Sequence, residues 1–226
     1  MTPRPPSVIR VVNRGVAANT YICGLPSSTG CILIDPGLDR ESIETALDRS
    51  GLRPRAIFCT HGHFDHVGTA EYFRRKYQVD IHLHDADART ARAANFTMMA
   101  LKMPWRIDVP ETYVSISEGT GWTDGDTRVE VIHTPGHTPG SVVLLIGGRA
   151  FSGDTLYRQG VWLGSMPESD HAQLKASLHR LWESLPVDVI VYPGHGRSAS
   201  FSEIRRSNAP LRELLGLADP PPVPAR

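Results

Sequence analysis

Thr60-His61-Gly62-His63-Phe64-Asp65-His66 places three imidazoles and a carboxylate within six residues, and all four side chains bind borderline metal ions. A solvated loop has no reason to concentrate histidines in this way. The flanks carry as much information as the candidate ligands. Arg55-Ala56-Ile57-Phe58-Cys59 before the stretch is a short apolar run of strand type, and Val67-Gly68-Thr69-Ala70-Glu71-Tyr72-Phe73 after it reads as a helix start. Side chains delivered between a buried strand and a helix N-terminus sit at the mouth of an α/β core, where ligand sites gather.

Outward from this stretch the chain alternates strands and helices. Residues 8–12 and 20–23 read as strands around the turn Asn13-Arg14-Gly15, and 31–34 as a third strand stopped by Asp35-Pro36-Gly37. Ile43, Ala46 and Leu47 recur at helical spacing over 41–50, with Gly51 as the C-terminal stop. A strand over 56–59 leads into the histidine stretch. A helix over 67–77 and a short strand over 80–83 follow. Residues 85–92 favour helix, but Phe96, Met98, Met99, Leu101, Met103 and Trp105 then come without a clean period. They are expected to be core side chains of an irregular helical connection, with a pocket wall as the alternative, because methionine and aromatic groups adapt to apolar ligands.

The second half predicts strands over 128–132, 142–146 and 149–152, the last two joined by a tight Gly147-Gly148 turn. A helix over 169–185 takes Ser169 or Asp170 as its cap, a buried strand spans 188–192, and a short helix spans 208–217. The proline-rich end from Asp219 to Pro224 is expected to be disordered or extended. Each half therefore supplies strands and then helices. Two such halves packed sheet on sheet, helices outside, make a four-layer αββα sandwich of the α/β (α+β) class, with one domain over 1–217 and a tail over 218–226.

Three later positions share a feature with the opening stretch. His137 in Thr134-Pro135-Gly136-His137-Thr138-Pro139-Gly140-Ser141, Asp154 in Ser152-Gly153-Asp154-Thr155, and His195 in Pro193-Gly194-His195-Gly196 each follow a predicted strand and a glycine. The glycine lets the backbone turn sharply over the sheet edge. Together His61, His63, Asp65, His66, His137, Asp154 and His195 make seven candidate ligands. That is too many for one tetrahedral ion and suits two, if one carboxylate bridges them. Zinc fits these donors, with iron or manganese as alternatives. Two ions about 3.5–4 Å apart can share a water and lower its pKa to about 7, so no serine or cysteine nucleophile is required.

Composition narrows the rest. The 226 residues carry 24 basic and 24 acidic side chains, a neutral balance that argues against a nucleic-acid surface. Cys23, Cys31 and Cys59 are odd in number and lie in apolar runs, as buried thiols of a reducing compartment do. The N-terminal stretch Met1-Thr2-Pro3-Arg4-Pro5-Pro6 lacks the apolar core of a signal peptide, and no apolar run reaches bilayer length. A cytoplasmic protein acting on a small molecule, without nucleic-acid or membrane partners, is the expectation; oligomeric state is left open.

The ordered motifs resemble the metallo-β-lactamase superfamily and, within it, the hydroxyacylglutathione hydrolase (glyoxalase II-like) branch. His61, His63, Asp65 and His66 match His-x-His-x-Asp-His. The elements around His137, Asp154 and His195 match in order, and Asp35 matches an element that supports the metal loop. The resemblance runs from Val8 to about Arg205. It implies a first ion on His61, His63 and His137, and a second on Asp65, His66 and His195. Asp154 bridges the two, and Asp65 also handles the attacking water. It further implies a bridging hydroxide that cleaves a thioester, or a related ester or lactone.

Asp154 favours this branch over the β-lactamases, and the neutral charge disfavours the nucleases. A mononuclear iron persulfide dioxygenase shares the ligand residues and stays open as the alternative. Two departures point away from glutathione as the carrier. The stretch after His195 is short for the family's glutathione-holding helical domain, and Gly160-Val161-Trp162-Leu163-Gly164-Ser165-Met166-Pro167 differs from the family's arginine-containing loop. Tyr157, Trp162 and Met166 are the expected substrate-contacting residues, with Arg158 beside them, and the Phe96–Trp105 segment suggests an apolar acyl or aryl group. His82, His84, His133, His171 and His179 fit no motif position and are read as strand, surface or supporting histidines.

Overall fold

In the computed structural model, which describes residues 7–26, 28–164 and 166–218, the apolar runs become strands buried on both faces. Each face belongs to a different layer. In β3 (Gly30–Ile34), Cys31 and Leu33 pack outward against helices, while Ile32 and Ile34 pack inward against the other sheet. In β9 (Val142–Ile146), Val142, Leu144 and Ile146 face inward and Val143 faces the second set of helices. A period of two with both faces apolar is what a strand enclosed between a sheet and a helix layer requires.

The first sheet holds β1 (Val8–Val12), β2 (Asn19–Gly24), β3, β4 (Arg53–Phe58), β5 (Ile81–His84) and β6 (Val114–Ile116) in chain order. Its first three strands are antiparallel, and β3 to β6 are parallel. The second sheet runs in order β12 (Ala199–Ser200), β11 (Ile190–Pro193), β10 (Arg149–Gly153), β9, β8 (Thr127–His133) and β7 (Gly121–Asp124), with β10 and β11 parallel. Between the sheets lie Tyr21, Ile32, Ile34, Phe58, Val129, Val131, Leu144 and Phe151. Helices α1 (Arg40–Ser50) and α3 (Ala70–Tyr77) cover the first sheet through Ile43, Leu47 and Phe73. Helices α5 (His171–Ser184), α6 (Phe201–Ser207) and α7 (Ala209–Leu215) cover the second through Leu174, Leu178, Phe201 and Leu211. The four-layer αββα sandwich expected from the sequence is the observed architecture.

Several local expectations need correction. The single helix expected over 67–77 is two. Helix α2 (Phe64–Val67) starts directly after His63, whose carbonyl accepts from the His66 and Val67 amides, and it carries Asp65 and His66 itself. Gly68 and Thr69 lie between it and α3, and a Cβ at Gly68 would overlap the Phe64 carbonyl oxygen and the side chain of Leu38. The irregular connection expected over 85–109 contains a regular helix, α4 (Ala88–Ala100). Its apolar period is hidden because Phe96 and Met99 are exposed while Ala91, Ala94 and Met98 are buried. The expectation of core side chains holds for Met98 alone among the large residues of that stretch that the core claims in full. Strands β6, β7 and β12 and helix α6 were not foreseen; they are short or edge elements whose pattern is too brief to read. Asp170, rather than Ser169, caps α5, accepting from the amides of Ala172 and Gln173. The expected extended end from Asp219 onward, like residues 1–6, lies outside the described residues.

His82 is a strand histidine of β5, as its pattern predicts, and not a surface one. It is buried, stacked on Phe58 with ring centroids 4.3 Å apart, and its Nδ1 donates to the Ile57 carbonyl at 3.1 Å. His84 and His133 stack on each other across the two sheets at 4.3 Å. None of these three imidazole rings is among the grouped candidate ligands. Phe58 is fully buried between the sheets, so Phe58→Ala is expected to cost about 3–5 kcal/mol, from lost transfer energy plus the residual cavity. Chemical denaturation of the two proteins measures it.

Candidate metal centre

The loops that follow β4, β8, β10 and β11 all emerge at one end of the sandwich, and backbone bonds tie them together. Val142 N donates to Thr60 O at 2.9 Å, Gly194 N to Gly153 O at 2.7 Å, and Asn19 N to Gly194 O at 2.7 Å. The approach is close enough that Gly194 has no alternative. A Cβ there would overlap Asp154 Oδ1 and press on the His66 ring. Gly136, at φ 135°, lies against the backbone of Leu174 where a side chain has no room.

All seven residues selected from the sequence converge here. Their donor atoms form three overlapping groups, each with its atoms within 4.8 Å of one another: His61, His63 and His137; His61, His66 and Asp154; and Asp65, His66 and His195. His63 Nδ1 lies 3.1 Å from His61 Nε2 and 3.0 Å from His137 Nε2. Asp154 stands between the groups. Its Oδ1 is 3.5 Å from His66 Nε2, while its Oδ2 is 3.6 Å from both His137 Nε2 and His195 Nε2. Asp65 Oδ2 approaches His195 Nε2 at 3.3 Å and His66 Nε2 at 3.7 Å. Six of the seven are buried, and His195 is half-buried.

Hydrogen bonds on the far side of each ring decide what the near side offers. His61 Nδ1 donates to Thr60 Oγ1 at 3.1 Å, and Thr60 Oγ1 donates to Asp35 Oδ2 at 2.7 Å. His66 Nδ1 donates to the same Asp35 Oδ2 at 3.0 Å. His63 Nε2 donates to Glu168 Oε1 at 2.7 Å. With the far nitrogen of each ring donating, these three rings, once neutral, turn a lone pair inward. Lone pairs about 3 Å apart, with no proton between them, repel unless a cation sits among them. His66 Nε2 and Asp154 Oδ1 are moreover buried without any hydrogen-bond partner among the described residues, which a native interior rarely tolerates. The donors therefore fit a metal centre.

The electrostatics divide the site. Burial, reinforced by the neighbouring imidazoles, drives His61 well below its usual pKa and His137 down to about 2, so both rings are neutral. Burial also lowers His66, but Asp65, Asp154 and Asp35 outweigh it and bring the group up to about 10. Burial pushes the Asp154 carboxyl up. It acts the same way on Asp65, where His66 and His195 prevail and hold the carboxyl well below the carboxylate range.

Asp35 was singled out in the sequence, and the structure shows its work: Oδ1 accepts the Thr60 amide at 2.7 Å, and Oδ2 serves Thr60 and His66. Asp87 and Glu168 were missed. Asp87, fully buried, accepts from Gly62 N at 2.7 Å, Thr138 Oγ1 at 2.7 Å and Gly140 N at 2.6 Å, clamping the His61–His63 loop to the His137 loop. It sits in the helix-prone Asp85-Ala86-Asp87 run, where an acidic residue at a helix start reads as a cap, so no local signal marks it. His133, read as supporting, donates through Nε2 to Pro139 O at 2.9 Å and ties β8 to the His137 loop.

A cavity of about 510 Å³ opens onto the centre. Tyr157, Trp162 and Met166 line it, as expected, together with Val16, Phe64, Leu101 and Val161. Trp162 packs edge-on against His137 with ring centroids 4.7 Å apart. Among the described residues, no lysine or arginine lines it. Arg158, considered with this group, turns away to pair with Glu203 at 2.9 Å.

Comparison with known proteins agrees with this geometry. The metallo-beta-lactamase superfamily model matches residues 13–195. Hydroxyacylglutathione hydrolase GloC of Haemophilus influenzae is 28% identical over 181 residues, 78% of this chain and 84% of that protein. Among solved structures, the BLEG-1 B3 metallo-beta-lactamase superposes with a TM-score of 0.82 at 29% identity, covering 91% of this chain and 99% of that one. TTHA1623 in a di-iron-bound form gives 0.80 at 33% identity, covering 89% and 99%. Among the described residues no helix is long and apolar enough to cross a membrane.

Two outcomes are expected. Asp87→Ala strands three buried donors and is expected to cost about 2–4 kcal/mol, with metal affinity falling alongside; denaturant unfolding and competition against a chelator measure the two. His61 and His137 are neutral near pH 7 and have a ring nitrogen free to ligate, whereas His66 must release a proton before it can ligate. Affinity at the Asp65–His66–His195 group is therefore expected to rise towards pH 10, by about tenfold per pH unit for each proton displaced. The His61–His63–His137 group is expected to change less. Titrations at three pH values separate these slopes.

Proposed function

The chain belongs to the metallo-beta-lactamase superfamily, and from that membership we propose that it is a dinuclear metal-dependent hydrolase of thioesters, or of related esters and lactones, with an apolar acyl group. The observation that carries the proposal is the pairing of the seven-donor centre with an adjoining cavity whose walls are apolar and free of cations. The similarity to GloC supports the thioester reading. The missing lysines and arginines weigh against glutathione itself, whose carboxylates would enter a cavity with nothing to pair them. Zinc is the proposed metal. Iron is the second choice, favoured by the di-iron form of a similar structure.

Two divalent ions bound to these donors would supply Lewis acidity towards a carbonyl oxygen and acidify a water between them. The chain's own residues do the rest. His61, His63 and His137 are proposed to hold one ion, Asp65, His66 and His195 the other, and Asp154 both. Asp65, ionised and lining the cavity, accepts a hydrogen bond from the attacking water and orients it. Trp162, Val161, Leu101 and Met166 hold the acyl group against the centre and exclude bulk water, which strengthens every charge interaction there. The Tyr157 hydroxyl, kept protonated by burial and by Asp154, remains a donor for the substrate.

Metal analysis of protein purified without added metal, followed by a panel of acyl thioesters of increasing chain length, tests the proposal. Near two zinc ions per chain are expected, with kcat/KM rising about fourfold for each methylene that enters the cavity, from about 0.8 kcal/mol apiece. Trp162→Ala is expected to flatten that series. Inactivity of the zinc-loaded protein on every thioester, ester and lactone would sink the reading. One iron per chain, with oxygen uptake on a persulfide, would replace it with the dioxygenase.

A further inference from the structure

We propose that Glu168 is a positioning residue that sets the tautomer and ring orientation of His63, and that residues 168–170 latch the substrate-side loop onto the His61–His63–His137 group. The proposal rests on the metal centre described above.

His63 differs from the other candidate ligands in how it is held. It turns Nδ1, the nitrogen nearest the backbone, towards His61 Nε2 and His137 Nε2. Its Nε2 therefore points out of the cluster and must carry the proton if Nδ1 is to offer a lone pair. Glu168 Oε1, 2.7 Å away, accepts that proton's hydrogen bond. His61 and His66 receive the equivalent support from Thr60 and Asp35, which are themselves buried at the edge of the first sheet. Glu168 instead comes from the second half of the chain, on the segment that has just passed Trp162 and Met166 in the cavity wall.

The two residues after Glu168 bind the same region. Ser169 Oγ donates to the His137 carbonyl at 3.2 Å, and Asp170 N donates to the Gly136 carbonyl at 2.7 Å. Three consecutive residues thus touch both loops of one metal group, and they do so immediately before α5 begins at His171. The loop that shapes the substrate cavity and the ring that holds the metal are tied through one carboxylate. A carboxylate behind a metal-binding imidazole fixes its rotation and raises its basicity, and losing such a partner typically weakens metal affinity 10–100-fold. The Glu168 side chain is 22% exposed, so its removal opens no cavity in the core.

The test measures metal affinity without substrate. The full-length protein and its Glu168→Ala, Glu168→Gln and Glu168→Leu variants are titrated with zinc against a chromophoric chelator, and with cobalt(II) followed by visible absorption. Melting of the metal-free proteins is expected to coincide. In Glu168→Ala one of the two affinities is expected to fall about 10–100-fold and the cobalt spectrum to shift, while the other affinity stays within about threefold. Glu168→Gln, whose amide oxygen accepts from the same N–H, recovers most of the loss. Glu168→Leu fills the space without an acceptor and behaves like the alanine variant, which keeps the answer readable if alanine loosens the loop. Wild-type affinities and spectrum in the alanine and leucine variants, or a loss in glutamine equal to theirs, would overturn the role. A wild-type chain that takes up neither ion would overturn the centre and the role together. A wrong substrate class leaves these readings untouched.

Discussion

One buried carboxylate, that of Asp35, carries the geometry of the whole site. It follows β3 in a left-handed backbone conformation (φ 48°) that few residues other than glycine adopt. Strain of that kind persists only where the surroundings over-determine it, and here they do. The Asp35 amide donates to Phe58 O at 2.9 Å, its carbonyl accepts from Thr20 Oγ1 at 2.7 Å, and its side chain receives the Thr60 amide, the Thr60 hydroxyl and His66 Nδ1. An ionised carboxylate cannot be buried without such partners. Those it finds are the residue before the first candidate ligand and the fourth histidine-stretch member, so the requirement to satisfy Asp35 is also what aims His61 and His66.

The same logic repeats at longer range. Asp87 needs three donors, and the structure supplies them from two loops far apart in the chain. Between these two satisfied carboxylates lies a set of donors that is not satisfied: inward lone pairs, three buried atoms without a partner among the described residues (on His66, His137 and Asp154), and imidazoles pushed towards neutrality. The surrounding fold holds the repulsion in place. Metal affinity and fold stability are therefore linked, since anything that binds these donors in the folded chain and not in the unfolded one adds its binding energy to stability.

Helix α4 and residues 157–166 surround the centre without contributing ligands. They set what reaches it. Phe64 belongs to α2 yet packs with Ala94 and Met98 of α4 in a small satellite cluster, so the helix that presents Asp65 and His66 is braced by the cavity's own wall. The cavity, lined largely by apolar side chains among the described residues, opens directly onto the donors.

The sequence by itself determined the layers and the donor set. Strand periodicity, glycine stops and the four motif positions are local patterns of spacing and residue type, and local patterns survive without the fold. For that reason β3, β4, β9, β10 and the seven candidate ligands were readable, along with Asp35 and the cavity residues Tyr157, Trp162 and Met166. What only the tertiary structure decided were contacts between segments: Asp87 under both ligand loops, Glu168 behind His63, and the stacking of His82 on Phe58 inside the core. The short edge strands and the hidden period of α4 belong with these. A carboxylate becomes a clamp only when distant backbone donors arrive at hydrogen-bond distance, and a half-exposed apolar helix shows its buried face only against what it packs on. Neither condition is written in the spacing of residues along the chain.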